Sequence, residues 1–507
     1  MSPRTPKRKA GGRRVKDQVV ETTSAAIALG AQSGRLVIGA ILLAALLLVV
    51  GEVRTASSGD APAPPSAEKV SMLAYGCPAF THAGESSPTT VAVGTLPGAA
   101  VDGGSRTVVR LPGADPVAAL ADAPRGTWAT AAAGQKTASL LVDVTGPQAP
   151  GTVAYSAARA SSGDGGGLAV GACPRPLPER WFVGAGSTAE HSTALVLTNT
   201  STSPGVVDLT LYGDAGEVDG VGTSGITVDP GTSKVVRLAQ LTSGSPELAV
   251  RAVVRRGAVA AAAVDVSRSG VTAPAGSEFL PSSALPANDV TVAGVPAGRS
   301  ARTLLVANPS DRTATVGLSI ATKDGLFTPT GLESVDVAPQ SVTSVRLPAD
   351  ISPRAYAVRL TSDVPVTASV RTTVGSDVGY SVATVAWEDT AVVPVQVGRA
   401  LAPGSTRLMV TPAGDQPSTV RVTAHAEDGT EVGNTELESP AGATTTLDPF
   451  GAGGVGVDAD DVAYLTVEAT GGAVRAAAAY ETGGFAVTPL LPAPVREAAP
   501  VVKPAAP

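Results

Sequence analysis

Aromatic side chains make up only 3% of the 507 residues, with three Trp, seven Tyr and six Phe. Cores must then be filled by Val, Leu and Ala, which implies thin, modestly stable modules rather than one deep interior. Histidine is as scarce: His82, His191 and His425 lie in three different parts of the chain. A His-based metal site or catalytic triad would have to assemble between parts. HExxH, CxxC, GxSxG and P-loop signatures are absent. Cysteine is limited to Cys77 and Cys173, each followed by proline. Basic charge is missing from most of the chain. Residues 1–35 hold eight Lys/Arg against two acids, net +6, which leaves the remainder with 29 basic and 42 acidic residues, net −13. An acidic body of this kind argues against nucleic acid as a partner, since phosphate-backbone binding needs clustered positive charge.

What is abundant is turn-forming residues, 57 Gly and 41 Pro, as expected of many short strands joined by turns. A pattern recurs between them. ALVLTNTSTSPGVVDLTLYGDAGEV (194–218) returns as TLLVANPSDRTATVGLSIATKDGLF (303–327) and, more diverged, as RLMVTPAGDQPSTVRVTAHAEDGTEV (407–432). Val207, Leu209 and Leu211 alternate with polar neighbours, as do Val316, Leu318 and Ile320, and Val420, Val422 and Ala424. Residues two apart share one face of a strand, so each set can face a core. Asp324-Gly325 and Asp428-Gly429 supply the positive φ of tight hairpins. GTSKVVRL (231–238) matches QSVTSVRL (340–347) at an offset of 109, and LAVRAVVRRGAVAAAAVDV (248–266) matches YAVRLTSDVPVTASVRTTV (356–374) at 108. Ala260–Ala263 and Ala476–Ala479 favour helix by intrinsic propensity. Their counterpart Val364–Val374 is Val/Thr-rich and reads as strand, so the alanine runs are assigned as strands closely approached by a neighbouring sheet.

A repeat of about a hundred residues is too long for a propeller blade and fits tandem immunoglobulin-like β-sandwich modules. The expected organisation is a basic cytoplasmic segment (1–35), a transmembrane signal-anchor helix (36–53) and a Pro/Ala-rich linker (54–70). Modules at 71–180, 181–285, 286–390 and 391–490 follow, then a disordered tail (491–507). Early strands of the first module do not show the pattern. Residues 36–53 are 18 residues, about 27 Å of helix, nearly the hydrocarbon thickness of a bilayer. The positive flank places the N-terminus in the cytoplasm and the rest outside. Cleavage as a signal peptide is disfavoured, because Pro64 follows Ala61-Pro62-Ala63 and Arg54 spoils the site ending at Ala56. In that compartment Cys77 and Cys173 are expected to form a disulfide across the first module.

Other candidates for chemistry are weak. His425, between Ala424 and Ala426, is assigned to the exposed polar face of its strand. Asp458-Ala459-Asp460-Asp461 lacks the glycine and distal Glu of an EF-hand and reads as an acidic loop. Arg255-Arg256 reads as a solvated turn, and SGDGGG (162–167) as a loop with no helix after it. Trp181 and Trp387 fall near module junctions, where packing accounts for them. No catalytic residue, cofactor or metal site is assigned. The basic start, the single anchor, the two Cys-Pro pairs, WFVGAG (181–186) and the NTS and NPS turns together resemble a family of uncharacterised membrane-anchored exported proteins of high-GC Gram-positive bacteria, a domain of unknown function. The resemblance implies an envelope location and supplies no catalytic residues. The expectation is a non-enzymatic scaffold or interaction protein at the outer face of the cell membrane. Cell-wall glycan binding or glycopolymer assembly is the alternative, and an enzyme with an inter-module site between modules one and two, using His82, His191 and Asp164, is a third reading.

Overall fold

The computed structural model describes residues 67–80, 89–99, 102–110, 116–120, 123–133, 137–160, 166–270, 273–298, 300–404 and 406–498. The anchor expected at 36–53 lies outside them; among the described residues no helix is long and apolar enough to cross a membrane. Apart from one four-residue helix, Leu238–Leu241, and two short 3-10 turns, the regular structure described is β-strand.

The strands fall into four sheet pairs of one design. In module two the strands are Glu179–Ala185, His191–Asn199, Gly205–Gly213, a split fourth (Gly216–Val218 and Ile226–Val228), Ser233–Arg237, Leu248–Arg256, Val259–Ser269 and Ala273–Leu280. One sheet runs first–sixth–third–fourth and the other fifth–second–seventh–eighth, all antiparallel. The same two orders recur in modules three and four. They recur also in module one, from Met72–Pro78 to Gly167–Ala172, whose early strands the sequence does not announce. Module three differs in one respect: its sixth and seventh strands are a single strand, Tyr356–Val374, shared by both sheets. In module two the break between them is made by Gly257 at φ +79°. The aligned residue in module three is Pro365, which continues extended backbone.

The alternating residues line the cores. Val207, Leu209 and Leu211 meet Leu195, Leu197, Ala261 and Ala263 across module two. Val316, Leu318 and Ile320 meet Leu304, Val306, Ala368 and Val370 across module three. Both alanine runs are strands, and both of their faces are covered. Ala261 and Ala263 face their own core, whereas Ala262 and Val264 face Phe80, Ala158 and Ala169 of module one. Ala476 and Ala478 face the module four core, and Ala477 and Ala479 face module three. Small side chains let the backbones come close: a Cβ on Gly294 would stand 2.3 Å from that of Ala477.

The modules do not form a string of independent units, as the repeats suggest; residues 67–497 make one compact body. The seventh strand of each module lies against the first-strand side of the module before it, two on one, three on two and four on three. Module one closes the circuit on module four. Tyr155 on its seventh strand donates to Val392 O at 2.5 Å, Trp128 Nε1 donates to Gln396 O at 3.0 Å, and the Trp128 ring stacks on Tyr464 at 5.1 Å. The result is a head-to-tail ring of four. Identical-sense contacts make a closed ring when the rotation per module closes, and here it closes after one turn. The two ends of the body meet as well, with Val70 N donating to Val495 O at 3.1 Å. Part of the expected linker and tail is therefore ordered: Ala67–Lys69 and Arg496–Ala498 are strands.

Candidate functional site

The four eighth strands, Gly167–Ala172, Ala273–Leu280, Asp377–Val382 and Ala486–Pro489, are sheet edges that meet along the ring's axis, each touching the next in turn. Edge strands carry unpaired amides that cannot be left buried and unmet. Two carboxylates meet them. Asp377 accepts from Leu168 N at 2.9 Å and Phe485 N at 2.7 Å through Oδ2, and from Val378 N at 2.9 Å through Oδ1. Glu278 accepts from Val170 N at 3.2 Å and Phe279 N at 2.8 Å through Oε1, and the Val487 amide of module four also favours its charged form. Modules one, two, three and four thus all contribute strands to one buried pair of acids. Burial pushes the Glu278 carboxyl well above its usual range, and the neighbouring Asp377 charge pushes it further. Burial also raises Asp377, against the lowering effect of its amides. Room for Asp377 is made by glycine: a Cβ on Gly167, at φ +134°, would stand 2.5 Å from its Oδ1.

Beside the hub, the joint between modules two and three holds the densest set of ionisable groups. His191 Nε2 lies 3.1 Å from Asp265 Oδ1, and His191 Nδ1 lies 2.6 Å from Pro246 O. Thr193 Oγ1 and Tyr380 OH donate to the two oxygens of Asp265 at 2.6 and 2.7 Å. Arg371 of module three binds Glu247 of module two through both nitrogens, at 3.0 and 2.6 Å. Burial alone would lower the His191 pKa, but the Asp265 carboxylate outweighs it and the net shift is upward. Asp265 is fully buried, which by itself would raise its carboxyl, and the His191 charge brings it below its usual value. Nδ1 faces a carbonyl and Nε2 a carboxylate, so the protonated imidazole has an acceptor on each side. The arrangement ties modules together through buried charge.

The structure distributes the sequence-selected residues differently from expectation in several places. Cys77 and Cys173 are disulfide-bonded, with Cα atoms 4.5 Å apart, joining the first strand of module one to the residue after its eighth. His82 and Asp164 lie outside the described residues, and His191 faces module three rather than module one. His425 is buried, not exposed: Nε2 pairs with Thr466 Oγ1 at 2.9 Å and its ring stacks on Tyr464 at 4.9 Å. The reason is the ring closure, since Tyr464 is itself covered by Trp128 of module one. Trp128, Trp181 and Trp387 are all buried, so none offers a platform for a sugar. Trp181 packs between modules two and three with Val183, Leu305 and Ala307, and Trp387 packs into the core shared by modules four and one. Asp458–Asp461 is a loop with a 3-10 turn, and among the described residues no group of three or more His, Cys, Asp or Glu could hold a metal. Arg255 is exposed and pairs with Asp208.

Glu278, Asp265 and Asp377 were not singled out from the sequence. A signal existed for two of them: Asp265 interrupts the run VAAAAVDV, and Glu278 precedes Phe-Leu inside an apolar strand. A charge at an inward strand position asks for a partner.

One cavity of about 170 Å³ opens where modules one, two and four meet. Its walls include Tyr155 and Cys173, Phe182 and Phe279, and Pro489 and Leu491, with Arg175 and Arg180 also lining it. None of His191, Asp265 or Tyr380 reaches it.

The fold defines an all-β protein of four matching sheet pairs closed into a ring, stapled by one disulfide. The chain belongs to a family of unknown function (DUF5719), whose match spans residues 128–450. No curated protein matches it. Among solved structures, Thermotoga maritima 1070 is similar at 20% identity, over 20% of this chain and 94% of its own, with a TM-score of 0.17.

Proposed function

We propose that this is a non-enzymatic scaffold of the cell envelope, a ring of immunoglobulin-like sandwiches held at the outer membrane face by residues 36–53. The observation that carries this reading is the fate of its ionisable groups. The buried acids and His191 are spent on joints between modules, and the cavity contains none of them. What the ring presents outward is loops, such as the turn around Val221, which is 82% exposed. Rigid frames that carry loops are the usual platform for partner binding. The basic flank, the anchor and the disulfide support the extracytoplasmic placement. A photo-crosslinking residue placed at Val221, and in turn at Val385 and Met72, tests the idea in cells. Discrete adducts with envelope proteins are expected; their absence at all three positions would remove the scaffold reading. Retention of the protein on purified cell wall would instead favour a glycan-binding accessory, despite the buried tryptophans.

A further inference from the structure

The cavity between modules one, two and four has one wall group that its neighbours do not explain. Arg180 is half-buried, and no carboxylate is paired with it. NH1 donates to Ser282 Oγ at 2.8 Å and NH2 to Arg175 O at 2.9 Å, both neutral acceptors, and Nε has no acceptor at all. The nearest charge affecting it is Arg175, of the same sign, and burial together with that neighbour lowers its pKa to about 10. Arg175 itself is paired, with Glu497. A cation held at the wall of an apolar cavity without a counter-charge is open to an anion that enters the cavity.

Arg106 and Arg302 give the comparison. Both are more deeply buried than Arg180 and likewise leave Nε without an acceptor, but their terminal nitrogens brace loop carbonyls: Thr127 O and Pro124 O for Arg106, Pro296 O and Gly298 O for Arg302. Neither lines the cavity. Arg302 also lies over the Tyr356 ring at 5.6 Å. Arg180 alone of the three has an open space beside it.

The rest of that space is apolar. Phe182, Phe279 and Leu280 come from module two, Tyr155 from module one and Pro489 from module four. The lining residues Leu177 and Leu491 are 42% and 44% exposed, so the apolar surface continues outward. A volume of about 170 Å³ is close to that of dry engineered cavities that take up benzene, ~150 Å³. It accommodates part of a short aliphatic chain, with the remainder following the exposed leucines out.

We propose that this cavity binds a small amphiphilic anion, its acidic head on Arg180 and its aliphatic chain against Phe182, Phe279 and Leu280. An Arg guanidinium favours a planar carboxylate or a phosphate by charge-assisted hydrogen bonds. The walls come from three modules, so the ligand also fastens the ring near the point where its ends meet. The assignment does not depend on a membrane anchor or on the scaffold reading.

The test is calorimetric titration of the full chain in lipid nanodiscs, with empty discs subtracted, using octanoate, octyl phosphate, octanol and inorganic phosphate as probes. Octanoate or octyl phosphate is expected to bind at least tenfold more tightly than octanol, and the stronger of the two identifies the head group. Inorganic phosphate is expected to give no measurable heat. Arg180→Met keeps the stem and removes the charge; it is expected to erase the preference for anions over octanol. Equal affinity for octanol and the octyl anions, no binding of either anion, or inorganic phosphate binding as tightly as octyl phosphate would each overturn the proposal. Should Arg180→Met fail to fold, the comparison of probes on the unaltered chain decides the question by itself.

Discussion

Glu278 and Asp377 look alike in sequence but answer to different demands. Asp377 uses both oxygens as acceptors of backbone amides. An amide in its place would turn a donor toward those N–H groups, so Asp377→Asn should cost roughly 2–5 kcal/mol by chemical denaturation. Glu278 takes the Val170 and Phe279 amides on Oε1 alone, and Glu278→Gln keeps that acceptor. Its raised pKa means that the folded state holds the proton more tightly than the unfolded chain does. The stabilisation is complete below the ordinary value of 4.5 and is lost as pH rises through the raised one. His191 has the same sign: its contribution is complete below 6.5 and is lost as pH rises through its raised value. Asp265 runs the other way, contributing above 3.8 and losing its contribution as pH falls through its depressed value. Melting temperature should therefore fall as pH rises above the ordinary values of these two groups, 4.5 and 6.5, and Glu278→Gln should flatten the first part of that decline. Asn199 and Asn308 provide a second residue-level test. Nδ2 holds two loop or strand carbonyls in Asn199 and three in Asn308, and in each Oδ1 takes the amide and hydroxyl of a serine two residues on. Asn308→Ala would leave those carbonyls buried and unmet, at about 1–3 kcal/mol each.

At the level of the strand, period-two alternation was enough to assign Val207–Leu211 and Val316–Ile320 to core faces. Alignment with a Val/Thr-rich copy was enough to overrule helix propensity in the alanine runs. What alternation cannot express is a strand buried on both faces, because the second face is covered by residues far off in the chain. His425 was misplaced for that reason: its outward face is closed by Tyr464 and, behind it, Trp128. The first module hides its strands for a related reason. Its seventh strand spends Val153, Tyr155 and Ala157 on module four and leaves Ala154 for its own core, so neither face reads as polar. Close approach between strands also sets limits on side-chain size. Gly294, at φ +73°, stands where a Cβ would strike Ala477, and Gly294→Ala should loosen the joint between modules three and four by ~1–3 kcal/mol. Loss of protection from hydrogen exchange confined to strands 287–295 and 474–480 would identify that joint as the one affected.

For the molecule as a whole, closure replaces independence. Four separate modules would unfold in separate steps, whereas a ring with shared cores and one polar hub should melt in a single transition. Calorimetric and van't Hoff enthalpies that agree would bear this out, and distinct transitions would refute it. Reducing Cys77–Cys173, which spans 96 residues, should lower stability by roughly 2–5 kcal/mol. Because module one is part of the ring, that loss should appear in the one transition rather than in a separate early step. Closure also imposes an order in time. Leu168 and Val170, placed early in the chain, hydrogen-bond to Asp377 and Glu278 midway along it, and Asp377 takes a further amide from Phe485 near its end. Until the last module has emerged, the two acids have only part of their complement of amides and the alanine faces have no neighbour. Such a chain is exposed to aggregation and proteolysis for as long as its synthesis takes. Shelter for the half-made ring until its last module arrives is the price of building a circle from a line.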